Sequence, residues 1–280
     1  MNLGEEIRSI SAELSDITED AALEARLIIQ KATGLSRPVL LSHPEREVSE
    51  RDLLRISELT EKRKTGFPLP YILGEWEFYG HPFYVDPSVL IPRPETELLA
   101  DEALAWLKKH PSVDSGFDIG TGSGCIAISL LLARPDLRMT AVDLHREALF
   151  TACRNADRHS VSHRFSPVQC DLFSPFSGRF SLLCANLPYI PTETVLEIEP
   201  GRFEPFSALD GGTDGFELYR LLFGQIADKM NEECLILCEI EYRQRDLALQ
   251  TASLFFPNCS AEVLEDLAGQ PRILRIENNV

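Results

Sequence analysis

Two stretches of the chain carry residue types whose spacing could do chemistry. The first is Gly120-Thr121-Gly122-Ser123-Gly124, set between an apolar run that holds Asp118 and the helix-like IAISLLLA. Glycines accept the backbone angles of a tight turn, and their missing side chains leave room for a ligand at a helix N-terminus. Asp143 ends the next apolar run, 19 residues after Gly124. A carboxylate there can accept hydrogen bonds from both hydroxyls of a ribose. Residues 122–127, GSGCIA, satisfy the G-x-G-x-x-[GA] dinucleotide fingerprint, so a nicotinamide cofactor and S-adenosylmethionine both fit. The second stretch is FSLLCANLPYIPTE, residues 180–193, an apolar run that ends on Asn186 and is followed by Leu187, Pro188 and Tyr189. Asn at a strand end can simply open a turn. Metal chemistry is not expected. His159 and His163 have helical i, i+4 spacing without an evident third ligand. Cys234 and Cys238, four apart in a strand-like run, read as buried thiols on one face.

The elements that must hold these residues follow from the periodicity. Residues 1–68 read as a small helical bundle. Thr18 is the expected cap of a helix that stops at Gly34, with Ala21, Ala25, Ile28, Ile29 and Ala32 as its apolar stripe. A second helix is expected from Ser49 to Gly66, with basic residues in its last turn. Residues 69–92 are rich in proline, and Tyr79-Gly80-His81-Pro82 lies between two alternating runs, a β-hairpin signature. From residue 93 to 280 helices and strands alternate, which predicts an α/β domain with a mainly parallel sheet. The last two strands, separated only by an AGQP turn, are expected as an antiparallel hairpin at the sheet edge.

That context separates the two cofactors. With Asp118 included, the loop reads D-x-G-x-G-x-G and resembles the nucleotide loop of class I S-adenosylmethionine-dependent methyltransferases, whose Rossmann-like sheet also ends in an antiparallel hairpin. Asn-x-Pro-Tyr after the fourth core strand resembles the signature of those members that methylate a planar amino or amide nitrogen. Such a nitrogen is a poor nucleophile, because its lone pair is delocalised, and it carries two N–H donors. Two acceptors holding those hydrogens would bias it toward tetrahedral geometry and aim its lone pair at the donor methyl. The Asn186 side-chain oxygen is one. The Leu187 carbonyl is the other, its direction restricted by Pro188, and Tyr189 offers a flat face for stacking. Alignment of this kind can contribute roughly 7–11 kcal/mol. The familiar form of the motif has proline where this chain has Leu187, which costs rigidity but keeps the carbonyl. The absence of an acid at Ser181 is a second departure.

The flanks LIPRPETELLADEAL (90–104), RFEPFSALDGGTDGFELYRLL (202–222) and DLAGQPRILRIE (266–277) resemble the HemK/PrmC family of release-factor glutamine methyltransferases, over nearly the whole chain. The resemblance implies N5-methylation of the glutamine in the Gly-Gly-Gln loop of class-1 peptide chain release factors. It implies that Gly120 through Gly124 line the methionine part of the cofactor, with Asp118 and Asn186 also among the cofactor-binding residues. Asp143 would hold the ribose, Asp171 and Leu172 would flank the adenine, and Asn186 through Tyr189 would hold the glutamine amide. Leu172 stands where family members often carry an aromatic residue. Arg93, Glu95 and Glu97 are candidates to close the cleft, and the N-terminal bundle is expected to recognise the substrate protein.

Bulk properties agree. The formal net charge is −17, from 44 acidic and 27 basic residues, so most of the surface repels a polyanion. A nucleic-acid methyltransferase acting on adenine N6 or guanine N2 is the alternative this charge disfavours. A nicotinamide oxidoreductase is a second alternative, but the chain shows neither an evident Tyr-x-x-x-Lys nor a hydride-handling histidine set. A non-catalytic descendant is the third alternative, prompted by Leu187 and Leu172. The seven scattered cysteines and the lack of an apolar run of roughly 18 residues point to a cytoplasmic protein. The expected state is a monomer, with no membrane contact and no direct nucleic-acid contact.

Overall fold

The computed structural model describes residues 1–197 and 203–279, so Arg202, which opens one of the quoted flanks, lies outside the described residues. The chain divides into two compact units, 1–75 and 76–280.

The first unit is helical: α1 (Leu3–Leu14), α2 (Ala21–Thr33), α3 (Arg37–Ser42), α4 (Glu50–Lys64) and α5 (Leu69–Leu73). The stripe expected on α2 is buried throughout, against Leu3, Ile10, Leu14, Leu40 and Ile56. Gly34 ends α2 in the left-handed conformation, where a side chain would be strained. Thr18 is not its cap. Asp20 holds that position, and the Thr18 hydroxyl accepts from the Asp20 N–H at 3.2 Å, a local turn that forms one step too early to cap the helix. Helix α1 was not anticipated, although Asn2 and Glu5 form a reciprocal capping box at its start, an arrangement that contributes about 1 kcal/mol. Ser49 caps α4 as expected. Residues 69–73, placed by sequence in the proline-rich connector, form α5, because Pro70 sits in the first turn, where its missing N–H has no helical partner to lose.

The hairpin of β1 (Glu75–Phe78) and β2 (His81–Tyr84) begins at the boundary residue and otherwise belongs to the second unit. Helix α6 (Glu97–Lys109) leads into β3 (Ser115–Ile119), α7 (Cys125–Ala133), β4 (Arg138–Asp143), α8 (Arg146–Arg158), β5 (Phe165–Gln169) and β6 (Phe180–Ala185). After α9 (Thr192–Glu197) come α10 (Glu217–Ile226), β7 (Met230–Glu239), α11 (Arg245–Phe255), β8 (Ser260–Glu265) and β9 (Pro271–Asn279). The strand order is β5-β4-β3-β6-β7-β9-β8. Strands β3 to β7 are parallel, and β9 runs antiparallel to both its neighbours. The terminal pair is therefore the expected hairpin, inserted so that β9 bonds to β7 and β8 forms the edge.

The central strands are buried on both faces, which is why they read as continuous apolar runs. Along β6, Leu182 and Cys184 enter the core under α6, α7 and α8, while Leu183 and Ala185 enter the one under α10 and α11. Cys234 and Cys238 both face the second core, and all seven cysteines are unpaired. His159 serves packing: Nε2 lies 3.0 Å from the Pro82 carbonyl, and its ring rests on Phe83. No described helix is long and apolar enough to cross a membrane.

Candidate active site

Between β3 and β6 the chain reverses the direction in which it builds the sheet, and ligands of open α/β sheets lie at the carboxyl ends of the strands beside such a point. There the loop after β3, the ends of β4 and β5, and the residues beyond β6 line an open cleft of roughly 1030 Å³.

The glycine loop is tied to its neighbour strand: the Gly120 and Thr121 N–H groups donate to the Val142 carbonyl at 2.9 and 2.8 Å. Gly120, Gly122 and Gly124 all have positive φ, and they do different things. A Cβ on Gly124 would meet Ile128 and Ala152, so this glycine lets α7 and α8 approach. A Cβ on Gly120 would come within 2.9 Å of Leu187 Cδ2. At Gly122 nothing lies within 4 Å of that position, and the missing side chain leaves open cleft. Gly120, Thr121, Gly122 and Ser123 line the cleft; Asp118 and Gly124 stand behind its wall. Asp118 is fully buried, and its Oδ2 accepts from Thr121 Oγ1 at 2.7 Å and from the Ala127 N–H at 3.3 Å. Its contribution is to shape the loop. Burial pushes its pKa up to about 6, and its Oδ1 has no partner among the described residues.

Asp143 is on the wall. Its Oδ2 accepts from the Gly122 N–H and its Oδ1 from the His145 N–H, both at 2.9 Å. Burial raises its pKa while those two N–H groups oppose the rise. A carboxylate has about four acceptor positions, so it keeps capacity for two more donors, as a ribose requires. Asp171 is exposed at the rim, and Leu172 is buried beside it with φ +52. An open glycine facing a carboxylate, with an apolar residue at the far end, fits a nucleoside-bearing cofactor.

On the other side of the cleft, Asn186 is the first residue past β6. Its Nδ2 donates to Thr96 Oγ1 at 3.2 Å. The Leu187 N–H donates to the Tyr219 hydroxyl at 3.2 Å, and the Leu187 side chain covers Gly120. The Tyr189 hydroxyl donates to Glu239 Oε1 at 3.2 Å, while Gln244 Nε2 donates to the Tyr189 carbonyl at 3.0 Å. Beneath this segment lies the loop 210–215. A Cβ on Gly211 would stand 2.6 Å from the Pro188 oxygen, and one on Gly215 only 2.2 Å from the Tyr189 oxygen. Asn186, Leu187 and Pro188 also line a second, smaller cavity of roughly 400 Å³ with Tyr189 and Ile190. They form a partition between two chambers.

Arg93 borders both chambers, and its guanidinium bonds to the buried Glu204 carboxylate at 2.6 Å. Glu95 is exposed, 3.9 Å from Arg272. Glu97 accepts from the Tyr79 N–H at 2.7 Å and anchors the β1–β2 hairpin, away from the cleft.

Comparison with known proteins places this geometry. The family model described as PrmC N-terminal domain matches residues 5–74, and the one described as methyltransferase small domain matches residues 96–197. A release factor glutamine methyltransferase of Nitratidesulfovibrio vulgaris is 40% identical, over 92% of this chain and 88% of its own. That of Bacillus subtilis is 35% identical, over 89% of each chain. The chain belongs to the release factor glutamine methyltransferase family. S-adenosylmethionine is the methyl donor of that family. The crystal structure of a ribosomal protein L11 methylase from Lactobacillus delbrueckii subsp. bulgaricus shares the fold, with a TM-score of 0.50 at 20% identity over 70% of this chain and 84% of that one.

Four residues around the partition escaped the sequence reading: Thr96, Tyr219, Glu239 and Gln244. Glu239 had a usable signal. It is an acid ending the apolar run CLILCE, as Asp143 ends its own run. Tyr219 looked like one more apolar position on α10, and nothing local marks Gln244.

Proposed function

We propose that this chain transfers the methyl group of S-adenosylmethionine to the side-chain amide nitrogen, N5, of the glutamine in the Gly-Gly-Gln loop of class-1 release factors. One observation carries the reading: Asn186, Leu187 and Pro188 line both chambers, so a cofactor in the larger and a side chain in the smaller can meet at them. The larger chamber takes the cofactor, with Gly120 through Ser123 against its methionine part, Asp143 on the ribose, and Asp171 and Leu172 at the adenine. When bound, the cofactor supplies an electrophilic methyl on a sulfonium.

The protein's own contribution is alignment. Asn186 commits Nδ2 to Thr96, which leaves Oδ1 to accept one N–H of the glutamine amide. The Leu187 carbonyl accepts the other, and Tyr189, tethered to Glu239, supports the planar group from the side. The proton can leave after transfer, so no strong base is needed. The helical unit recognises the release factor. The enzyme works in the cytoplasm as a monomer and has no direct contact with nucleic acid.

The test is methyl transfer from labelled S-adenosylmethionine to purified release factor, with DNA in a parallel reaction. Asn186→Ala is expected to lose about a hundredfold or more in kcat with an unchanged cofactor Kd. Asp143→Ala is expected to weaken cofactor binding first. Label appearing on DNA alone, or wild-type turnover by Asn186→Ala, refutes the proposal.

A further inference from the structure

The amide clamp raises a question of orientation. An Asn side chain carries an acceptor oxygen and a donor nitrogen of nearly the same shape, and a clamp that holds N–H groups works only with the oxygen facing the cleft. Something must decide which end points inward.

Thr96 is the first part of the answer. It joins the 3-10 turn Pro94–Thr96 to α6 with helical backbone angles, and its hydroxyl makes no cap bond to a backbone N–H. Its side chain is buried, and Oγ1 accepts from Asn186 Nδ2 at 3.2 Å.

Glu239 is the second. It ends β7, which pairs with β6, and it is 2% exposed. Its Oε1 accepts from the Tyr189 hydroxyl at 3.2 Å, its Oε2 has no hydrogen-bond partner among the described residues, and the Thr96 hydroxyl is the neighbouring group that can supply one. A buried carboxylate so incompletely satisfied is a poor device for stabilising a fold, so its placement at the site asks for another role. Burial pushes its pKa up, and the two hydroxyls and the nearby Arg272 oppose that rise.

The logic then follows from donor and acceptor counts. Thr96 Oγ1 accepts from Asn186, so its single proton is free for the unpartnered Glu239 Oε2, and a carboxylate that is ionised can only accept it. Toward Asn186 the threonine can offer only a lone pair. Asn186 must answer with Nδ2, and Oδ1 is left facing the cleft. We propose that Glu239 is a positioning residue, setting through Thr96 which end of the Asn186 carboxamide meets the substrate. This deepens the reading of Asn186 as an amide clamp and rests on it.

Replacement by glutamine reverses the chain of command. A Gln side chain at 239 can donate to Thr96 Oγ1, which frees the threonine proton for Asn186 Oδ1 and turns Nδ2 into the cleft. The experiment measures kcat with purified release factor, and cofactor Kd by calorimetry, for Glu239→Gln, Thr96→Val, Thr96→Ser, Asn186→Ala and the double variant Glu239→Gln/Thr96→Val. The expected result is a loss of about a hundredfold in kcat for Glu239→Gln and for Thr96→Val, cofactor Kd within about twofold of wild type, and a double variant no slower than either single one. Thr96→Ser restores the rate, which a role in packing alone would not allow, because serine lacks the methyl group. Wild-type turnover by Glu239→Gln beside an inactive Asn186→Ala overturns this inference and leaves the clamp standing. Wild-type turnover by Asn186→Ala removes the clamp itself. Effects that multiply in the double variant overturn the relay. Should Glu239→Gln fail to fold, equal rates for Thr96→Val and Thr96→Ser overturn it as well.

Discussion

Asp118, Asp143 and Glu239 stand at or next to the carboxyl ends of three parallel strands, and their surroundings give them different work. Asp143 reaches the cleft and keeps acceptor capacity. Asp118 is sealed under the loop, its pKa raised from the ordinary 3.8 to about 6 by burial. The sign of the resulting pH dependence follows directly. The folded state holds this proton more tightly than the unfolded chain, so the contribution to stability is fullest below 3.8 and is lost as pH rises toward 6. The full loss is on the order of 3 kcal/mol. Asp118→Asn removes the titration. In urea unfolding, the stability of Asp118→Asn relative to wild type is expected to be higher at pH 8 than at pH 5, by roughly 1 kcal/mol. A difference that does not change with pH would show that Asp118 is not held as described.

At the scale of elements, two glycine loops meet the partition from opposite sides, and single methyl groups tell them apart. Gly122 has positive φ and open cleft where a Cβ would go. Gly122→Ala is expected to cost about 1 kcal/mol in backbone strain while the new methyl intrudes on the cofactor, so its Kd should rise with kcat at saturation little changed. Gly215 also has positive φ, but its Cβ would lie 2.2 Å from the Tyr189 oxygen. Gly215→Ala must displace the 188–189 backbone, and kcat should fall with a stability loss of about 2 kcal/mol. Calorimetry and thermal melts on both variants check the contrast; a matching pattern in the two would refute the division of labour. These loops also show how legibility varied. The loop after β3 was readable because strand, glycines and helix are consecutive and each leaves a local pattern. The role of 210–215 was not, because it depends on contact with residues more than 20 positions earlier, which no periodicity records. The strands were legible since both faces are buried. Helix α1 leaves only a sparse apolar pattern, with Leu3, Ile10 and Leu14 as its buried apolar positions, and in α5 two prolines mask a single turn.

For the molecule as a whole, charge is the property visible from the sequence alone. A formal net charge of −17 and a pI near 4.8 give the enzyme a negative field in neutral solution. A basic surface on the proposed substrate would be drawn toward this one, and the attraction would act on encounter more than on chemistry. Salt separates the two. The Debye length falls from about 10 Å at 0.1 M to about 3 Å at 1 M, which screens exposed charges and leaves contacts inside a cleft largely intact. Raising salt through this range is therefore expected to raise KM for release factor several-fold. The cofactor Kd and the kcat at saturating release factor should change little. Steady-state kinetics across a salt series, with cofactor binding measured in the same buffers, reads all three quantities. A KM that does not move with salt would mean that the acidic surface takes no part in recognition. The recognition proposed for the helical unit would then rest on apolar contacts, for which the exposed Leu41 and Leu54 are the first positions to mutate.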